Sequence, residues 1–182
     1  MNKVADKEEL LKVLDENGND TGKLEKRSVM HEKQIFHNEI ALWIIDKANK
    51  KVLVQRRSPN KKLNPNKIGL CAGHVVGNET IEEALFKEAK EEIGVDLKNY
   101  EVKKLLTIKR VEPKNYNFAH HYYILADIPV DEFTIQEEEL TEVFYMNYDK
   151  LKQMVKDGDD EIVIKWNDVY KQLFEKLDEV IN

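Results

Sequence analysis

Three glutamates, Glu88, Glu91 and Glu92, are spaced so that they could hold a metal ion together. Residues three and four apart on an α-helix are neighbours on one face, so these carboxylates would project from adjacent turns. Closely spaced carboxylates are hard oxygen ligands of the kind that Mg²⁺ and Mn²⁺ prefer. The spacing therefore indicates a metal site, provided that the segment is helical.

The flanking residues predict that helix. Thr80 and Glu83 have the spacing of a capping box, in which each side chain accepts a hydrogen bond from a free backbone amide of the first turn. Gly94 follows the last helical residue and can take the left-handed conformation that ends a helix. We therefore expect a helix between residues 80 and 94.

This helix carries two of its glutamates on the side that should face the core. At about 100° per residue, Glu88 and Glu92 fall inside the apolar stripe, and Glu91 lies at its edge. The stripe is formed by Ile81, Ala84, Leu85 and Ala89. An unpaired core-facing carboxylate costs several kcal/mol, so we expect a cation opposite them: a metal ion, a lysine or an arginine. The alternative is an ordinary solvated helix rich in Glu and Lys.

The remaining segments predict a layered α/β domain. The Asn-Gly pair at 17–18 predicts a hairpin, so roughly the first 30 residues should form a β-ribbon. Residues 39–45 and 51–55 predict paired antiparallel strands. Further strands are expected at 68–76, 100–110, 121–128 and 142–146, and further helices at 148–156 and 164–181.

Residues 73–95, GHVVGNETIEEALFKEAKEEIGV, resemble the Nudix box, a pattern written G-x5-E-x7-R-E-U-x-E-E-x-G-U with U an aliphatic residue. Every fixed position but one matches at the right spacing. The resemblance implies a Nudix-type α/β/α sandwich with a mixed β-sheet. We accordingly expect an N-terminal β-ribbon or arm over residues 1–34 and a Nudix hydrolase domain over residues 35–182.

The resemblance also implies an activity, which is Mg²⁺-dependent hydrolysis of a diphosphate bond in a nucleoside diphosphate derivative or a similar small molecule. Glu88, Glu91 and Glu92, the box glutamates, would be metal ligands, and Glu91 or Glu92 would carry most of the metal binding. Glu91 and Glu92 would also be catalytic residues. The carbonyl of Gly73 would be a further ligand, and Mn²⁺ could replace Mg²⁺. Metal ions held in this way neutralise the phosphates and lower the pKa of the attacking water.

The one departure from the box is Lys87, which stands where the family has arginine. In the family this position commonly forms a salt bridge with the equivalent of Glu79, and the pair orients the box. Lysine keeps the positive charge but loses the bidentate fork of arginine. We therefore expect a slower enzyme with all of its metal-binding glutamates in place.

Substrate phosphates need cationic partners, for which Arg56, Arg57, Arg110 and His74 are the candidates. Arginine matches phosphate geometry better than lysine does, and strand alternation should turn only one of Arg56 and Arg57 inward. Glu139 occupies the place where many Nudix hydrolases keep an extra glutamate as general base or metal ligand. The alternative is that Glu139 belongs to a solvated acidic turn without a catalytic role.

Other segments resemble the isopentenyl-diphosphate isomerase-like branch of the family, which contains both isomerases and hydrolases. They are Asp15 to Gly22, His31, His37, Trp43, Gln55 to Ser58 and Ala72 to His74. A true isomerase has a proton-donating cysteine two residues before its equivalent of His74, where this chain has Ala72. Cys71 is one residue earlier and should point to the opposite face of the strand. The glutamate pair of the isomerases is also missing from the strand around 117–123.

Three functions therefore stay open: a diphosphate hydrolase, a catalytically weak nucleotide-binding Nudix module, and an isomerase. Isomerases bind a metal through histidines that His31, His37 and His74 resemble. Without the glutamate pair, solvated or hydrogen-bonded histidines are the default expectation for these three residues. Of His120 and His121, one should face the substrate cleft.

Composition limits the other possibilities. The chain has 182 residues with 41% hydrophobic and 35% charged residues, which fits one folded domain. Its net charge of −6 argues against general binding to nucleic acids or anionic membranes. The single cysteine and the absence of a long apolar segment favour the cytoplasm. The expected partner is a phosphorylated small molecule, and the ribbon could support a homodimer.

Overall fold

The computed structural model describes residues 8–113 and 115–182, which form a mixed β-sheet with helices on both faces. The strands are β1 (Leu10–Leu14), β2 (Asp20–Lys26), β3 (His37–Asp46), β4 (Lys51–Arg57), β5 (Ile68–Gly69), β6 (Cys71–His74), β7 (Lys103–Glu112), β8 (Asn115–Leu125) and β9 (Leu140–Asn147). The helices are α1 (Arg27–Glu32), α2 (Ile81–Ile93), α3 (Tyr148–Asp157) and α4 (Asp168–Ile181).

The main sheet has seven strands, and β3 lies at its centre. β3 runs parallel to β8 along most of its length, and it pairs antiparallel with β6 at its start and with β4 at its end. β4 also pairs with β9 and β5, and β7 closes the other edge beside β8. This topology confirms the expected α/β class and mixed sheet.

Strand alternation divides the core into two layers. Ile40, Leu42 and Ile44 of β3 pack with the apolar stripe of α2. Trp43 and Ile45 point to the opposite face and pack with α3 and α4. Any side chain on β3 therefore belongs either to the α2 face or to the α4 face of the sheet.

The β1–β2 ribbon lies against the main sheet. An isolated bridge joins Leu11 to Val76, and another joins Leu14 to Phe36. Leu11 is fully buried, so the ribbon contributes to the core. The start of the expected arm, residues 1–7, lies outside the described residues, and the division at residue 34 stays a prediction.

Some element boundaries differ from those expected. Residues 27–32 form the short helix α1 at the end of the expected ribbon. The strand expected at 68–76 is divided into β5, which pairs with β4, and β6, which pairs with β3. The last helix begins at Asp168 instead of 164, because the Asn167 side chain accepts hydrogen bonds from the amides of Val169 and Tyr170.

The capping box of α2 is present as expected. The amide of Glu83 donates to the Thr80 hydroxyl at 3.1 Å, and the amide of Thr80 donates to the Glu83 carboxylate at 2.8 Å. Thr80→Ala should therefore lower the free energy of unfolding by about 1 kcal/mol in urea denaturation, whereas Thr80→Ser should remain within about 0.5 kcal/mol of the native value. Equal losses in the two variants would contradict a role for the cap hydroxyl.

Candidate active site

The box glutamates differ in burial because α2 presents them at different angles to the sheet. Glu92 is 7% exposed, Glu88 is partly buried and Glu91 is exposed. Glu92 and the partly buried Glu88 lie on the α2 face of the sheet, next to the apolar stripe that packs on β3. The helix therefore places two carboxylates against the core, as the sequence predicts.

Glu92 is held by side chains from two strands. Gln55 of β4 donates its amide to Glu92 Oε2 at 3.1 Å. Burial raises the pKa of Glu92, and the hydrogen bonds from Gln55 and the Cys71 thiol oppose this rise. Burial together with Glu92 and Glu88 raises the pKa of Cys71, so the thiol is protonated at neutral pH. Glu92 is thus oriented by these groups, and it forms no ion pair with any residue of 8–113 or 115–182.

Glu88 lies directly against the backbone of Gly73. Burial and, next, the neighbouring Glu92 raise the pKa of Glu88 to about 8, against the opposing effect of Lys87. A Cβ atom on residue 73 would lie 2.3 Å from Glu88 Cδ. The absence of a side chain at Gly73 therefore creates the space that the Glu88 carboxylate fills.

Gly73→Ala should displace the Glu88 carboxylate and reduce Mg²⁺-dependent hydrolysis by about 10²-fold, because small displacements of catalytic groups have effects of that size. The measurement is initial rate against Mg²⁺ concentration. Gly69→Ala is the matched control, since its added Cβ would meet only Val163 at an ordinary 3.6 Å. Equal rates in Gly73→Ala and the native protein would contradict the role of this contact.

Lys87 and Glu79 form the expected ion pair. Lys87 Nζ donates to Glu79 Oε1 at 2.8 Å and to Oε2 at 3.0 Å, and Glu79 also accepts from the Val76 amide at 3.1 Å. Lys87 Nζ lies 3.9 Å from Glu88. Lysine at this position therefore connects the loop before α2 to the helix, as the arginine of the family would.

Glu139 lies beside the buried end of α2 and forms an ion pair with Lys61. The loop that follows β4 reaches it through a backbone hydrogen bond of 2.8 Å from the Ser58 amide to the Glu139 carbonyl. Burial lowers the pKa of Arg57, while Glu92 and Glu139 raise it. Arg57 also donates to the Leu63 carbonyl. Arg57, Glu92 and Glu139 are thus brought to one site.

The other proposed phosphate ligands lie on the opposite side of the sheet. Arg56 follows Val52 and Val54 on the α4 face of β4 and forms an ion pair of 2.7 Å with Glu142. Arg110 donates to Glu39, Asn117 and Tyr170. Because the guanidinium of Arg110 is engaged in this way, its use for substrate phosphate finds no support in the geometry and stays a prediction.

A histidine cluster formed by His31, His37 and His74 occupies the α4 face. Its ligand nitrogens all lie within 4.8 Å of one another, and it is the one such metal-like group of His, Cys, Asp or Glu among residues 8–113 and 115–182. Burial lowers the pKa of His74 to about 3. The structure groups the His74 ring with two other imidazoles, and a role of His74 in substrate binding stays a prediction.

The isomerase features remain incomplete in the structure. Cys71 lies on the α2 face beside Glu92, whereas Ala72 is exposed on the α4 face. His121 is buried and accepts a hydrogen bond of 3.1 Å from the indole of Trp43. His120 points to the other face and contacts Thr107 and Asn38. The cysteine is therefore on the opposite face from the histidine cluster.

The residues around α2 fit a divalent cation. Burial raises the pKa values of both Glu88 and Glu92, repulsion from Glu92 raises that of Glu88 further, and repulsion from Glu139 raises that of Glu92. A Mg²⁺ ion bound to these carboxylates would offset the cost of burying their charged forms. The Glu88 carboxylate packs against the backbone of Gly73. Glu88 and Glu92 are therefore the best-placed ligands, and the roles of the Gly73 carbonyl and of the exposed Glu91 stay predictions.

The NUDIX domain family model matches residues 36–166, which include the whole of the main sheet and α2. The chain belongs to the Nudix family. An uncharacterized Nudix hydrolase of Clostridium acetobutylicum is 29% identical over 155 residues, which cover 81% of this chain and 74% of that protein. An isopentenyl-diphosphate Δ-isomerase of Mycolicibacterium vanbaalenii is 30% identical over 94 residues, which cover 51% of each protein.

Solved structures show the same Nudix fold. A protein of Deinococcus radiodurans superimposes with a TM-score of 0.72 at 18% identity, covering 92% of this chain and 98% of its own. The Nudix domain of NrtR from Shewanella oneidensis, complexed with ADP-ribose, superimposes with a TM-score of 0.55 at 17% identity. The superposition covers 81% of this chain and 88% of that domain. Both likenesses confirm the sandwich architecture that the Nudix box implies.

Three residues around these sites were not anticipated from the sequence. Gln55 orients Glu92, Lys61 pairs with Glu139, and Glu39 lies between Arg110 and the histidine cluster. The sequence could have pointed to Gln55 and Glu39, because each is a polar residue within or next to an apolar stretch that is predicted to form a strand. Lys61 lies in a lysine-rich loop, where nothing in the sequence distinguishes it from its neighbours.

Proposed function

We propose that this Nudix hydrolase uses Mg²⁺, or Mn²⁺ in its place, to cleave a diphosphate bond in a nucleoside diphosphate derivative or a similar phosphorylated small molecule. The observation that carries the proposal is the pair of buried Glu92 and partly buried Glu88, the latter against Gly73, on a helix whose core-facing side is otherwise apolar. Such a pair needs a cation, and a cation at this point can also hold phosphate oxygens.

The side chains of the site have separate roles in this proposal. A bound divalent ion supplies charge neutralisation and a water of lowered pKa. Gln55 holds Glu92 in place through its amide. Arg57 binds the phosphate, since it lies on the same face as Glu92 and Glu139. Glu139 accepts the proton of the attacking water once Lys61 releases it.

The chemical class of the proposed substrate is suggested by the ligand of a structural neighbour. The Shewanella Nudix domain binds ADP-ribose, which is a nucleoside diphosphate derivative. We infer a ligand of this class for the present chain. We further propose that the protein acts in the cytoplasm, where its single buried cysteine stays reduced. No helix in the described residues is long and apolar enough to span a membrane.

The test is a panel of nucleoside diphosphate derivatives, dinucleotides and nucleoside triphosphates incubated with Mg²⁺ or Mn²⁺, with phosphate and mononucleotide release as the measurement. We expect turnover of at least one diphosphate compound that stops on chelation. Thermal stabilisation by one nucleotide without any release would instead support the nucleotide-binding module.

The isomerase is the second candidate, because relatives of the chain include isomerases. Its test is conversion of isopentenyl diphosphate by the native protein and by Cys71→Ala. We expect no conversion, since Cys71 lies on the face away from the histidine cluster. Conversion that disappears in Cys71→Ala would favour the isomerase over the hydrolase.

A further inference from the structure

Strand β2, the outer strand of the ribbon, has one edge without a partner strand. Its other edge pairs with β1, which is itself joined to the main sheet by the bridges of Leu11 and Leu14. Among residues 8–113 and 115–182, no strand or isolated bridge pairs with the outer edge of β2. Such an edge presents backbone amides and carbonyls that can pair with another strand.

The hydrogen-bond pattern of the ribbon identifies the residues that present these groups. The amide of Arg27 donates to the Glu9 carbonyl at 2.9 Å, so the alternate residues Glu25 and Lys23 also direct their backbone groups toward β1. The residues of β2 whose amides and carbonyls point to the outer edge are therefore Gly22, Leu24 and Lys26.

Two local hydrogen bonds agree with this direction. The amide of Gly22 donates to Asp20 Oδ1 at 2.8 Å, and the amide of Lys26 donates to Glu25 Oε1 at 2.8 Å. Neither amide could reach these side chains if it were bonded to β1. Both acceptors are side chains of the same exposed strand, so backbone carbonyls of an added strand can replace them.

Two exposed leucines lie on one face of the ribbon. Leu10 is 44% exposed and Leu24 is 46% exposed, whereas Leu11 on the other face is fully buried. Leu24 is opposite Lys12, and Leu10 is opposite Lys26, so the two leucines are diagonal neighbours. Leu24 lies at the middle of the free edge, where burial against another strand would remove apolar surface from water.

The charges along β2 select one register for pairing with a second copy of the chain. Antiparallel pairing about a two-fold axis at Leu24 puts the two leucines opposite each other and Lys23 of each copy opposite Glu25 of the other. An axis at Lys23 would put the two lysines opposite each other, which is unfavourable. Neither Lys23 nor Glu25 forms an ion pair within the described part of the chain, so both are available to a second copy.

We propose that two copies of the chain associate through the free edges of β2, antiparallel about a two-fold axis at Leu24, to form a continuous four-stranded ribbon. Pairing of Leu24 with itself and of Gly22 with Lys26 gives about six backbone hydrogen bonds between the copies. A Cβ at Gly22 would meet no heavy atom within 4 Å, so there is room beside it for Lys26 of the second copy. The contact is self-complementary, as a two-fold dimer requires.

The dimer should be weak, because only residues 22–26 of each copy meet and specific interfaces of standard size are larger. We expect a dissociation constant between about 10 µM and about 1 mM. Sedimentation equilibrium of the full chain measures it, and a protein that stays monomeric at about 1 mM would overturn the proposal.

Charge reversal distinguishes this interface from any other. Lys23→Glu and Glu25→Lys each place like charges opposite each other twice, so each should weaken self-association by at least about 10-fold. An equimolar mixture of the two variants should associate with near-native affinity, because every contact between positions 23 and 25 then joins opposite charges. A mixture that contains no more dimer than either variant alone would overturn the proposal.

Lys98→Glu and Glu101→Lys are the matched controls for these variants. They reverse exposed charges outside the ribbon and change the net charge by the same amounts. Both should keep the dissociation constant within about twofold of the native value. If the controls weaken association as much as Lys23→Glu does, net charge and not the β2 edge is responsible, and the proposal fails.

Cross-linking tests the register independently of charge. Opposite residues of a hydrogen-bonded antiparallel pair have Cα atoms about 5.5 Å apart, which a disulfide can bridge. Leu24→Cys should therefore form a covalent dimer on mild oxidation. Leu10→Cys is the matched control, since Leu10 is similarly exposed but the two β2 strands would separate its two copies.

The native Cys71 is buried, so it should not contribute to this cross-link. Equal cross-linking in Leu24→Cys and Leu10→Cys, or none in Leu24→Cys, would contradict the assigned register. Both experiments measure association, so their outcome is independent of whether the protein hydrolyses a diphosphate.

Discussion

Replacing both Glu91 and Glu92 with glutamine is expected to reduce diphosphate hydrolysis by at least about 10³-fold. Glutamine keeps the size of each side chain but removes the negative charge that binds Mg²⁺. Of the two substitutions, the one at the buried Glu92 should reduce hydrolysis more than the one at Glu91, because the Glu92 carboxylate is the one that Gln55 orients. The measurement is kcat/KM at saturating Mg²⁺ on the best substrate of the nucleotide panel.

The matched control for this variant is Glu82→Gln, which changes an exposed glutamate in the first turn of the same helix. It should leave kcat/KM within about twofold of the native value, since isolated surface charges have small effects. The double variant should also fold at least as stably as the native protein without metal, because a buried unpaired carboxylate is removed. Native activity in the double variant would refute the hydrolase assignment.

The metal-free protein is expected to lose stability as the pH rises toward 8. Glu88 has a folded-state pKa of about 8 against an ordinary value of 4.5, because burial and the neighbouring Glu92 disfavour its charged form. The folded chain therefore holds this proton more tightly than the unfolded chain does. This contribution to stability is complete below pH 4.5, falls as the pH rises from there, and is lost above about pH 8, with an upper limit of about 5 kcal/mol.

Mg²⁺ should reverse this loss, because an ion at the site replaces the proton on Glu88. The measurement is thermal unfolding in EDTA and in Mg²⁺ at pH 6, 7 and 8, and the stabilisation by Mg²⁺ should be largest at pH 8. Glu88→Gln is the control, and its stability in EDTA should be less dependent on pH in this range. An unchanged pH dependence in Glu88→Gln would show that Glu88 is not the responsible group.

Local sequence was sufficient to predict helix α2, its caps and the direction in which its glutamates project. The capping box at Thr80 and the left-handed Gly94 act through neighbouring backbone atoms, so their geometry does not depend on the rest of the fold. The same is true of the helix phase that buries Glu92 and leaves Glu91 exposed. The ion pair between Lys87 and Glu79 spans one helix and its preceding loop, and the box pattern anticipates it.

Helix α1 and the divided strand could not be predicted in the same way. The periodicity of residues 27–32 is too short to distinguish a turn of helix from extended chain. The break at Leu70 depends on partners, since β5 pairs with β4 and β6 pairs with β3. Strand pairing is a long-range property, so a continuous apolar run in the sequence does not reveal it.

By itself, the sequence determined the family, the acidic helix and which of its residues are candidate metal ligands. Only the tertiary structure decided which face of the sheet each strand residue occupies. It joined His31 of α1, His37 of β3 and His74 of β6 into one cluster, and it placed Glu39 between this cluster and Arg110. Helical spacing is fixed by one chain segment, whereas a cluster drawn from separate elements depends on the register between strands.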